Sequence, residues 1–203
     1  MDKRRLEAFS DGVVAILITI MVLELKVPHE ASWEALRGLE PVFLAYVLSF
    51  INIGIYWNNH HHLIHATHHV NGAVLWANLH LLFWLSLVPF TTQWMGENHY
   101  VAIPTALYGA NLVACAVAYG ILVRTIIAQE GPDSTLRAAV GGDVKGNVSI
   151  ALYVTAVPLA FVHQYIADAL YVTVALIWLI PDRRIERRKI PHHDAVIRHS
   201  RDT

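Results

Sequence analysis

Residues 5–25 read RLEAFSDGVVAILITIMVLEL, and this stretch decides the class of the fold. A head carrying Arg5, Glu7, Ser10 and Asp11 runs unbroken into a nearly all-apolar segment, which Glu24 and Lys26 close. A helix needs about 20 residues to cross a hydrocarbon core of about 30 Å. The apolar part alone is short for that, so the polar head has to be counted in. A carboxylate at the edge of the hydrocarbon is costly and has to face protein, water or a partner. A simple anchor has no use for such a head, so the segment is expected to line a pathway.

Composition points the same way. The chain has 203 residues, 55% hydrophobic and 15% charged, against roughly 45–50% and 25% in ordinary soluble domains. Mean hydropathy is +0.42, and the apolar excess is clumped in runs, which suits a lipid bilayer better than one soluble core. A net charge of −1 gives no reason to expect nucleic acid. The single cysteine, Cys115, lies inside an apolar run and excludes an intrachain disulfide. The N-terminus lacks the pattern of a cleavable signal: Lys3, Arg4 and Arg5 are followed by acidic residues, with no small-residue cleavage site after the apolar stretch.

Six spans are expected, at about residues 10–25, 41–57, 73–92, 103–127, 147–162 and 167–180. The last two are short and are separated only by HQYI, so they form a helical hairpin or one long helix broken near Pro158. With six spans both termini share a side, and every Lys and Arg except Lys26 and Arg37 falls on it. Basic residues favour the cytoplasmic face. The chain is therefore expected to be a multi-pass protein of the cell inner (plasma) membrane with both termini cytoplasmic. Residues 1–182 would form the membrane domain and 183–203 a basic cytoplasmic tail. Outside, a short interfacial helix should start near Ser32 as its cap, with Trp33, Trp94 and Tyr100 at headgroup level. Residues 130–147, glycine-rich and polar, are expected to be a flexible linker. The two halves show no internal repeat, so inverted-repeat transporter architecture gains no support.

At about 100° per residue, Gly12, Ile16, Ile20 and Leu23 fall at about 0°, 40°, 80° and 20° on the first helix. Ala8, Ala15 and Thr19 lie beside them, at about 320°, 300° and 340°. Such stripes commonly face lipid or pack against neighbours, and small residues let helices approach closely. Repeated by rotational symmetry, the aliphatic stripe would instead form rings around an axis, a constriction that gates by dewetting. Ser10 and Asp11 have a plain alternative too, as caps of a helix beginning at Gly12. Arg5 and Asp11 are six residues apart and do not face each other on one helix, so their partners should lie on other helices.

The run NNHHHLIHATHH places His60, His61, His62, His65, His68 and His69 after the second span. If the helix continues, His61, His65 and His68 share a face. Imidazoles at that spacing ligate zinc or copper, but no carboxylate or cysteine in the run completes a site. Solvated or interfacial histidines, or a pH sensor, are the simpler readings. His80 lies within the third span with Asn78 and Ser86, where inter-helical hydrogen bonds are expected. No nucleophile with a base and an orienting group is evident, so no enzyme activity and no cofactor are expected.

The heptapeptide RLEAFSD at residues 5–11 matches R-x-x-x-F-S-D, and the chain here resembles the transmembrane protein 175 family of potassium channels. The resemblance extends through the rest of the first span, YWNNHHHLIH and WANLHLLFWLSLVPFTT, covering the first half of the chain well and the second half by helix count. It implies an all-α homotetramer of six-helix chains, with first helices around a central pore and no TVGYG filter. It also implies that Ile16, Ile20 and Leu23 line and constrict the pore, and that Thr19 supplies a hydroxyl to the permeant K+. Arg5, Phe9, Ser10 and Asp11 would form a buried network, with Trp57, His61 and Asn78 as partners. Asp11, Glu24 and Glu30 would enrich monovalent cations at the mouths. The competing readings are a proton channel or proton-coupled carrier using Asp11, His61 and His80, and a non-conducting scaffold or metal sensor built on the histidines.

Overall fold

The computed structural model describes residues 2–131 and 144–179, and among these every regular element is a helix. The helices are α1 (Lys3–Leu23), α2 (Trp33–Arg37), α3 (Glu40–Ala66), α4 (Gly72–Ser86), α5 (Val88–Glu97), α6 (Ala102–Glu130), α7 (Val144–Leu159) and α8 (Gln164–Leu179). The segment 132–143, most of the expected linker, and the tail 183–203 lie outside the described residues. Helices α1, α3 and α6, and α4 with α5 taken together, are each long and apolar enough to cross a membrane.

The first helix begins earlier than the capping alternative requires. Asp2 caps it by accepting from the Arg4 amide at 3.2 Å, so Ser10 and Asp11 lie inside the helix and cap nothing. The short outer helix α2 starts where expected: the Ser32 side chain accepts from the Ala35 amide at 3.1 Å. Helix α3 runs past Trp57 to Ala66, taking His60, His61, His62 and His65 into its last turns. The expected third span is interrupted. Pro89 has no amide hydrogen for the Leu85 carbonyl and its ring crowds the preceding turn, so the chain breaks at Leu87 into α4 and α5. Helices α7 and α8 pack against each other as a hairpin, with Pro158 near the end of α7.

Two apolar cores hold the bundle. In one, Leu6, Val14, Leu17 and Met21 of α1 meet Ile53 and Ile64 of α3, Leu81 of α4 and Leu122 of α6. In the other, Met95 of α5 and Tyr108 and Leu112 of α6 pack with Tyr153 of α7 and Tyr171 of α8. Thus α1 packs on α3, α4 and α5 at one side of the molecule, away from the α7–α8 hairpin. Close approach of α3 and α5 depends on Gly96, where a β-carbon would sit 2.8 Å from the Val42 Cα. Backbone cannot swing aside as a side chain does. Gly96→Ala should therefore destabilise the protein by about 1–3 kcal/mol, read as a lower unfolding midpoint in detergent. An unchanged midpoint would show that α3 and α5 separate freely.

Candidate functional site

Helix α1 has two unlike faces. Leu6, Ser10, Val14, Leu17 and Met21 are buried at helical spacing. The opposite stripe, Ala8, Gly12, Ala15, Ile16, Thr19, Ile20 and Leu23, is exposed on the protomer. Ile16 is 58% exposed, Ile20 40% and Leu23 79%, an apolar face on which the protomer packs nothing. The Thr19 hydroxyl donates its hydrogen to the carbonyls of Ile16, at 2.8 Å, and Ala15, at 3.1 Å. With its hydrogen turned to the backbone, the oxygen presents lone pairs outward, an acceptor only.

The buried side of the head is fixed by a chain of hydrogen bonds whose directions can be deduced. Ser10 Oγ donates to the Leu6 carbonyl at 2.9 Å and so accepts from Asn78 Nδ2 at 3.0 Å. Asn78 then turns its Oδ1 toward His60 Nε2, 2.7 Å away. An amide oxygen only accepts, so His60 carries a hydrogen on Nε2. All three residues are at least 95% buried, and together they tie α1 to α4 and α3. Nearer the surface, Trp57 Nε1 donates to Asp11 Oδ1 at 3.0 Å, and His61 Nδ1 lies 3.2 Å from Glu7 Oε1.

The structure thus brings Ser10 together with Asn78, Asp11 with Trp57, and places His61 beside α1. Arg5 and Phe9 are exposed on the protomer and take no part in this chain. His60 and Glu7 are the residues that sequence reasoning missed. Asp11 and its indole partner sit on different helices, as the six-residue spacing from Arg5 required. His80 and Ser86 do not bridge helices: His80 Nε2 accepts from Trp84 Nε1 at 2.9 Å, and Ser86 Oγ donates to the Phe83 carbonyl at 2.7 Å, all within α4. The expected histidine face is also absent. His61 and His65 stack with ring centroids 5.9 Å apart, but α3 ends at Ala66. His68 turns instead to Glu130 of α6, with Nδ1 2.7 Å from Oε2 and its amide donating to Oε1 at 2.6 Å.

Both ends of α1 are tethered as well. At the first end Lys3 donates to the His65 carbonyl. Beyond the other end, Lys26 pairs with Glu97 of α5, and Gln93 Nε2 donates to the Glu24 carbonyl at 3.3 Å. The hydrogen bond and charge of Glu97 hold the Lys26 ammonium above the ordinary lysine range. The helix is therefore clamped at its ends and along one face, while its aliphatic stripe and Thr19 are left free.

Comparison with known proteins places this arrangement. Residues 5–89 match the family model described as "Endosomal/lysosomal potassium channel TMEM175". A protein named "Potassium channel HX13_20290", from Chryseobacterium sp. (strain P1-3), is 56% identical over 187 residues, covering 92% of this chain and 97% of its own. The chicken (Gallus gallus) "Endosomal/lysosomal proton channel TMEM175" is 41% identical over 75 residues, covering 31% of this chain and 15% of its own. The fold is similar to the crystal structure of a lysosomal potassium-selective channel TMEM175 homolog from Chamaesiphon minutus. That likeness has a TM-score of 0.77 and 27% identity, and covers 88% of this chain and 96% of the other. A multi-pass helical protein this close to its relatives over almost its whole length belongs to the TMEM175 family.

Proposed function

We propose that the chain forms a potassium-permeable homotetrameric channel in the cell membrane, with α1 of each subunit lining a central pore. The observation that carries this is the free apolar face of α1, with Ile16, Ile20 and Leu23 exposed beside the outward lone pairs of Thr19. The potassium-channel names of its relatives support the cargo. Counted as crossings, α4 and α5 make one pass, α2 is too short to cross, and α7 and α8 make one each. The total is six, with both termini on the cytoplasmic side.

Rings of aliphatic side chains cannot replace a hydration shell as carbonyls do. Selection rests on narrowness, partial dehydration and the Thr19 oxygens, which favours larger cations that lose water more readily. The chemistry needs no bound cofactor. Potassium is the permeant species.

The test is ion flux in liposomes holding the purified protein. Potassium should move down its own gradient without a second ion. Asp11→Asn should leave that flux within about twofold, because an asparagine oxygen still accepts the Trp57 bond. The chicken relative's name favours a proton pathway as the second reading. On that reading current reverses at the proton equilibrium potential and Asp11→Asn abolishes it, an outcome that overturns the potassium proposal.

A further inference from the structure

The outer end of α1 is held by one turn of α5. Gln93 and Glu97 stand four residues apart, which puts them on one face of that helix. Gln93 Nε2 donates to the Glu24 carbonyl, just past the end of α1, at 3.3 Å, and to Glu97 Oε1 at 2.9 Å. Glu97 in turn pairs with Lys26. Two side chains of α5 thus grip the chain immediately beyond Leu23. What fixes Glu97 is not α1 but α3. Next to it, Gly96 lies so close to α3 that a β-carbon would sit 2.8 Å from the Val42 Cα. Three residues on, the Tyr100 hydroxyl donates to the Pro41 carbonyl at 2.6 Å and ties the end of α5 to the start of α3. The turn between is strained: His99 and Tyr100 have φ of 52° and 59°, left-handed values that residues other than glycine rarely adopt. Such strain persists only where the surrounding contacts over-determine it. Helix α5 also packs on α3 and α6 more than on α4, from which the break at Leu87 separates it. Glu97 is therefore a fixed post, and the end of α1 is what it positions.

We infer that Glu97, supported by Gln93, is a positioning residue of the conduction pathway: it draws the outer end of α1 toward the bundle and so sets how far apart the Leu23 side chains of neighbouring subunits stand. This rests on α1 lining the pore, as proposed above. Leu23 is the last residue of α1 and points away from the packed side of the helix. The tether pulls that end back against α5, and its loss lets the end swing toward the axis and narrow the passage. Lys26, Gln93, Glu97 and His99 line a cavity of about 190 Å³, which gives the Lys26 side chain room to leave its partner.

Charge reversal in the full-length protein tests it. Glu97→Lys sets two ammonium groups against each other, and Lys26→Glu sets two carboxylates against each other. Each should lower potassium flux in liposomes about threefold, the scale of an exposed ion pair. The exchange, Lys26→Glu with Glu97→Lys, should return the flux to near that of the parent. If these charges acted only by gathering cations at the mouth, Lys26→Glu would raise the flux instead, and that result overturns the inference. So does an exchange variant as slow as the single reversals. A nitroxide on Val22→Cys reads the tether without conduction: Val22 lies in the last turn of α1 and is exposed, whereas the native Cys115 is buried and escapes the label. Its spectrum should show greater mobility in both reversals and the mobility of the parent in the exchange. Unchanged spectra in the reversals overturn the inference. A parent that passes no potassium fails the channel reading, while the nitroxide still decides whether Glu97 holds α1.

Discussion

Ile16→Asn combined with Ile20→Asn should raise potassium flux through the reconstituted protein by about tenfold or more and flatten its preference over sodium. A tenfold change corresponds to about 1.4 kcal/mol in the barrier. In the proposed pore, rings of isoleucine would hold water out of a narrow passage, so an ion crossing them would shed part of its hydration with nothing to replace it. Asparagine supplies a carbonyl and an amide at the same height, wets the constriction and removes that penalty along with the discrimination it provides. Both positions are exposed on the protomer, so its own packing should change little. Val22 is the control. It is also exposed, at 46%, but lies 100° or more around the helix from Ile16, Ile20 and Leu23. If Val22→Asn opens the passage and the double variant does not, the pore runs along another face. A companion, Thr19→Val, should weaken the potassium preference without altering stability much, because that hydroxyl bonds only to its own helix.

The stripe that carries this result was legible because helical periodicity needs only the sequence, and the apolar residues of α1 divide cleanly between two faces. Which stripe stays free is a different question, since lipid, neighbours and a symmetric axis all accept isoleucine. The protomer narrows it by burying Leu6, Val14, Leu17 and Met21 against α3, α4 and α5, and leaving the other side bare. The family resemblance rested on the same segment, and the fold agrees with it over most of the chain.

The polar anchor was legible only in part. Ser10, Asp11 and Asn78 stood out as polar groups in apolar surroundings, where a hydrogen-bond partner is close to obligatory, and Trp57 entered only through the family resemblance. Choosing His60 over His61 as the neighbour of Asn78 was beyond the sequence. In a run of adjacent histidines each is rotated about 100° from the last, and only packing fixes the phase. His68 misled for a related reason: no glycine or proline after Ala66 announces the end of α3, which the Thr67 backbone sets by turning extended. The break at Leu87 had a visible signal in Pro89. A count of apolar residues does not register it, because proline leaves hydropathy nearly unchanged while removing a backbone donor.

The second large effect is expected at Asn78, and it separates structural anchoring from conduction. Asn78→Leu keeps the size of the side chain but strands the Nε2 hydrogen of His60, which is only 5% exposed. Ser10 loses a donor yet keeps its own bond to the Leu6 carbonyl, so most of the penalty falls on His60. A buried donor without a partner costs about 1–3 kcal/mol. Bonds between helices in a membrane average only about 0.6 kcal/mol and reach about 1.7, because the unfolded chain in lipid also finds partners. Since His60 is buried where helices meet, the upper part of that membrane range applies, and about 1.5 kcal/mol of stability should be lost. The double variant Asn78→Leu with His60→Leu removes both partners at once, leaves no stranded donor, and should recover at least half of the loss. Chemical unfolding in detergent for the parent, both single variants and the double closes the cycle. Additive losses would mean that the two side chains do not act on each other, and that α1 is aligned by its apolar contacts and end tethers alone. Coupling of about 1 kcal/mol or more would instead make the Ser10–Asn78–His60 chain the device that fixes the rotation of α1, and with it which residues the helix turns away from the bundle.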